Sequence, residues 1–131
     1  MKNYLSILAI ALVAIACSPK AEKEEKIDLK AEVMKVHDEV MPKMGELREA
    51  RMKLEAKASE MDSILSKEYT IAAERIAQAN EGMMVWMRNF NPNPEGTQEE
   101  IDAYLEDQLK SIKQVKEDML GSLEEGKKLV E

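Results

Sequence analysis

Apolar side chains recur through the middle of this chain in alternating steps of four and three. Positions 33, 37, 40, 44, 47, 51, 54, 58, 61 and 65 read Val33, His37, Val40, Met44, Leu47, Arg51, Leu54, Ala58, Met61 and Leu65. Only His37 and Arg51 interrupt the apolar series, which is the seam of a long helix packed on a neighbour. A second seam runs Tyr69, Ala72, Ile76, Ala79, Met83, Trp86 and Phe90. Its phase is offset by one residue, which places a break near 62–66 or else a stutter in a continuous helix. The segment NPNPEGT at 91–97, with two prolines and a glycine, stops any helix. Thr97 and Glu100 then have the spacing of a capping box, with Thr97 as N-cap. A third apolar face follows in Ile101, Leu105, Leu109, Ile112, Val115, Met119 and Leu123.

The pattern predicts helices over about 28–62, 66–90 and 98–129. The expected fold is all-α, an antiparallel three-helix bundle with coiled-coil-like seams filling residues 28–131. Composition adds that the core is thin, because only 4% of the residues are aromatic. Pro42 falls inside the first predicted helix. It removes the hydrogen bond to the Asp38 carbonyl at a typical cost of about 3 kcal/mol. Either it is a tolerated kink that lets the helix follow its neighbours, or it re-aims the residues around it.

The N-terminus reads differently. Residues 1–16, MKNYLSILAIALVAIA, carry one lysine and then an unbroken apolar run, the layout of a secretory signal peptide. The run is shorter than the roughly 20 apolar residues of a membrane-spanning helix. Its end, Ala14-Ile15-Ala16-Cys17, resembles the lipobox of bacterial lipoproteins, and Ala14 stands where leucine is more usual. The resemblance implies a covalent lipid on Cys17 and a permanent membrane anchor. Ser18, in place of an aspartate, points by analogy with enterobacteria to an outer-membrane lipoprotein facing the periplasm. Residues 17–27 then form a charged, flexible tether. Cys17 is the only cysteine, so once lipidated it leaves no thiol for a disulfide, a metal or a nucleophile.

Loss of residues 1–16 removes Lys2 and no acid. That leaves 18 of the 19 basic side chains against 26 acidic ones, a net charge of −8. Such a body is repelled by nucleic acid and by anionic lipid, so the membrane attachment rests on the lipid.

The stretch HDEVMPKM, 37–44, contains the only histidine. The neighbours of His37 three and four residues away are Val33, Met34, Val40 and Met41, so no orienting acid is expected from its own helix. With a turn centred near residue 64, position 37 falls opposite 91, Met41 opposite 87 and Met44 opposite 84. Six of the nine methionines beyond Met1 (Met34, Met41, Met44, Met83, Met84 and Met87) then gather near His37, with Trp86 as aromatic neighbour. Thioethers and imidazole suit Cu(I) and do not suit Ca²⁺ or Mg²⁺. The first reading of the same residues is gap-filling core, with the metal site second and an adaptable groove for a peptide or partner helix third.

HDEVMPKMGEL, followed some 40 residues later by MMVWMRNF, also resembles a family of small helical lipoproteins from Bacteroidota. Its members often carry the label "viral A-type inclusion protein", which reflects generic coiled-coil similarity. The resemblance implies a secreted, lipid-anchored helical protein and carries no activity with it.

There is no phosphate-binding or dinucleotide-binding loop, and one histidine without a free thiol assembles no catalytic triad. A non-enzymatic role is therefore expected. The leading reading is an anchored structural or interaction module that meets a protein partner or oligomerises. The alternatives are soft-metal binding of Cu(I) or Ag(I) through the Met/His cluster, and a holdase-like periplasmic helper.

Overall fold

In a computed structural model of the protein, residues 28–130 are described; the predicted signal peptide, Cys17 and the tether lie outside the described residues. The described chain is all-α, with α1 (Leu29–Val40), α2 (Lys43–Ser59), α3 (Ser66–Asn89) and α4 (Gln98–Val130). Asp28 starts α1 by accepting a hydrogen bond from the Ala31 N–H at 3.0 Å.

The first predicted helix, 28–62, needs correction at two places. It is split at Pro42, and it ends at Ser59. Met41 (φ −52°, ψ −42°) and Pro42 (φ −61°, ψ −21°) keep helical dihedrals, so α1 and α2 are two halves of one bent rod. The Met41 N–H still reaches the His37 carbonyl at 2.9 Å, but the Met44 N–H bonds only to Met41, three residues back, at 3.2 Å. The ring of Pro42 has opened the ladder and tightened the next step.

The turn occupies 60–65, and its signal is Asp62. Its carboxylate accepts from the Ile64 and Leu65 N–H groups at 3.0 and 3.1 Å, while its carbonyl accepts from Ser66 at 2.9 Å. A side chain thus does the work of a glycine or proline. The second break follows the sequence closely. Gly96 takes φ 142°, a value that L side chains rarely adopt. Thr97 and Glu100 then close the capping box: Glu100 Oε2 accepts from the Thr97 N–H at 2.8 Å, and Thr97 Oγ1 accepts from the Glu100 N–H at 3.3 Å. The Thr97 N–H, and the Thr97 hydroxyl that also donates to Glu100 Oε2 at 3.0 Å, hold the Glu100 carboxyl below its ordinary range.

Three rods result: α1 packs mainly on α4, α2 on both α3 and α4, and α3 on α4. Val33, Val40, Leu47, Leu54, Ile76, Met83, Ile112 and Met119 are fully buried between them. Each such side chain contributes about 1.5–3 kcal/mol relative to exposure. The first seam is wider than expected, because Val36 and Ala50 are buried too. Arg51 lies outside and pairs with Glu55 at 2.7 Å, and Leu65, at the seam's end, is exposed. Trp86 and Phe90 add aromatic rings to the core towards the 90–97 loop.

Candidate functional site

At the 90–97 end four rings form a ladder across the rods. His37 and Trp86 have centroids 5.8 Å apart, Trp86 and Phe90 4.8 Å, and Phe90 and Tyr104 6.5 Å. The Tyr104 hydroxyl accepts from the Asn91 N–H at 2.7 Å and so fixes the start of the loop. Sequence register placed His37 opposite position 91; it meets Trp86 instead, since the turn's centre lies before residue 64. Trp86 is buried and its indole N–H has no partner among the described residues, a cost of about 1–3 kcal/mol that its stacked contacts must offset.

His37 does have an acid beside it, contrary to the expectation from helical spacing. Its Nδ1 lies 2.9 Å from Asp38 Oδ1. Adjacent side chains on a helix diverge, but Nδ1 leans sideways from the ring and a short carboxylate can turn to meet it. An ionised carboxylate only accepts, so Nδ1 is the donor in this contact. One residue on, Glu39 receives Lys116 of α4 at 2.7 Å, and this bond lowers its pKa.

The methionines do not share one environment. Met83 is fully buried in the core, whereas Met84 is 39% exposed. Met34 is half-buried, and Met41, Met44 and Met87 are partly buried and pack on the core's edge. Among the described residues no group of three or more His, Cys, Asp or Glu gathers in a metal-binding arrangement.

The opposite end carries a feature that spacing alone left unassigned. Ile64 is 84% exposed and Leu65 63% exposed, both in the turn. Beside them a groove of about 650 Å³ opens between the start of α3 and the end of α4. Ile64, Ile71, Ala72 and Leu129 give it an apolar lining, and Lys67, Glu68, Arg75, Glu125 and Lys128 supply charges of both signs. The available signal was Ile64, off both seams and inside the predicted break at 62–66, although spacing put the neighbouring Leu65 at the end of the first seam. A polar network lies on the flank: Glu46 accepts from Lys43 at 2.6 Å and from Lys127 at 2.9 Å, which takes its pKa down to about 2.

The class defined by this fold is an all-α bundle of one bent and two straight rods, with an aromatic–methionine end and an exposed apolar tip. Comparison with protein families, with curated proteins and with solved structures gives no match.

Proposed function

We propose that this chain is a lipid-anchored, periplasm-facing interaction module that presents its apolar tip to a protein partner. The observation that carries the reading is the exposure of Ile64 and Leu65 beside the α3–α4 groove. A contiguous apolar patch rimmed by charge is characteristic of a protein-binding surface. The rods put that patch far from residue 28: about 30 helical residues at 1.5 Å each separate them, roughly 45 Å. Anchoring through Cys17 would hold the near end at the outer membrane and leave the tip free, in keeping with the resemblance to Bacteroidota lipoproteins. The role is non-enzymatic, and the occupant is an apolar helix face of another protein.

A photo-crosslinking residue at Ile64 of the whole chain, in its own cells, tests this. A discrete adduct is expected, absent when the crosslinker stands at Glu99, and lost when Leu65 and Ile71 become Asp. An adduct of doubled mass would make the partner a second copy. A smear of many adducts belongs to a holdase, and equal labelling from 64 and 99 removes the tip as the interacting surface.

A further inference from the structure

We infer that Met34, His37 and Met41 form a binding site for a soft monovalent cation, Cu(I), on the half-buried flank of α1, with Trp86 as its aromatic wall. The three side chains stand at i−3, i and i+4 on one helical backbone. That the helix persists as far as Met41 is shown by its φ of −52° and its N–H bond to the His37 carbonyl at 2.9 Å. The β-carbon of each methionine is thus about 5–6 Å from that of His37, while the two methionines, seven residues or about 10 Å of rise apart, reach towards it from opposite sides. Methionine has three rotatable bonds with which to close the remaining gap.

All three residues are half-buried, and Met41 packs on the core's edge. Met83 is locked inside and Met84 is exposed, so neither belongs to the site. Met44 lies beyond the bend at Pro42.

The donor set decides the ion. One imidazole nitrogen and two thioether sulfurs are neutral and contain no oxygen, which suits Cu(I) and offers nothing to Ca²⁺ or Mg²⁺. The Asp38 carboxylate, 2.9 Å from Nδ1, occupies that nitrogen, so in the neutral imidazole Nε2 is the one left to ligate. That is the arrangement by which carboxylates orient metal-binding histidines. Asp38 is accordingly a positioning residue. The indole of Trp86 lies 5.8 Å from the imidazole and is tilted 32° to it, close enough for an ion bound at His37 to change its emission. The net charge of −7 further concentrates cations around the molecule. Binding is simple ligation by lone pairs, with no change in oxidation state.

The test is a titration of the whole 131-residue chain in detergent micelles with Cu(I), and with Ag(I) as its redox-inert surrogate. The parent carries Cys17→Ser so that no thiol competes. Trp86 is the only tryptophan, so its fluorescence reports this end of the bundle alone. Saturable quenching at one equivalent is expected. Met41→Leu and His37→Ala should each weaken it at least tenfold. Asp38→Ala should weaken it about tenfold, a typical second-sphere effect, and Asp38→Asn should restore part of the loss. Met84→Leu should change nothing. Met→Leu keeps the volume, so unchanged thermal melts separate lost ligation from lost folding. Absence of saturable quenching in the parent, or quenching that survives both Met41→Leu and His37→Ala, overturns the site.

Discussion

Gly126 shows how narrow the tolerances are at the level of a single residue. A β-carbon built there would lie 2.8 Å from Ile76 Cδ1 and 3.1 Å from Leu54 Cδ1, on two different helices. Both side chains are fully buried and have little room to yield. Gly126→Ala gains about 1 kcal/mol in helix propensity but incurs about 1–3 kcal/mol of overpacking. A net loss near 1 kcal/mol is expected. Gly121, on the same helix, has nothing within 4 Å of its added β-carbon. Gly121→Ala should therefore gain up to about 1 kcal/mol. For a domain of this size each kcal/mol moves Tm by about 4–8 °C, so thermal melts of the two variants should shift in opposite directions. Stabilisation of both would mean that α4 can slide off α2 and α3. This residue also marks a limit of reading from sequence. Periodicity picks out Leu54 and Ile76 as core, because an apolar stripe is a property of one helix. That Gly126 must stay small depends on how three helices meet. Asp38 escaped for a related reason: the rule that only residues three or four apart are neighbours overlooks a carboxylate turning to the adjacent ring.

At the level of elements, the helix ends follow from side chains that satisfy orphaned backbone groups. The Thr97 box is legible from its letters alone, and it appears where expected. The α2–α3 turn was legible only as a change of phase, because Asp62 replaces the more obvious glycine or proline. Removing the Thr97 cap, or the Asp62 carboxylate that ties the turn before α3, should each destabilise the fold by about 1 kcal/mol. Thr97→Ala has a second readout. The Thr97 N–H and hydroxyl together hold the Glu100 carboxyl down, and with the hydroxyl gone its pKa should rise towards the ordinary glutamate range. NMR titration of Glu100 alongside urea unfolding of Thr97→Ala and Asp62→Ala checks both expectations; a loss of stability with an unmoved Glu100 would assign the cap's effect to the backbone alone. The bend at Pro42 belongs to this scale as well. Proline announces a break in the ladder, but the direction of the bend, with α1 laid on α4 and Trp86 filling the space towards α3, is decided by packing.

For the molecule as a whole, the acidic flanks couple the rods to pH. Glu39 is lowered by Lys116, Glu49 by Lys53 and Glu124 by Lys128, while Glu46 goes down to about 2 under Lys43 and Lys127. A depressed carboxyl binds fewer protons folded than unfolded, so its contribution is complete above the unfolded value of about 4.5 and is lost as pH falls through the folded one. Stability should thus be level with respect to these groups above pH 4.5 and decline below it, with Glu46 extending the decline to about pH 2. Two of the pairs, Glu39–Lys116 and Glu46–Lys127, join the bent rod to α4 on either side of Pro42. All are solvent-exposed and screened by salt, which keeps each contribution small. The linkage should therefore show as a gradual slope shared among several groups. Urea unfolding of the whole chain between pH 2 and 7, at low and high salt, tests it. Glu46→Gln should flatten the lowest part of the curve, and added salt should shrink the slope throughout. A sharp collapse well above about pH 4.5 would instead show that these carboxyls do not set the acid limit of the fold.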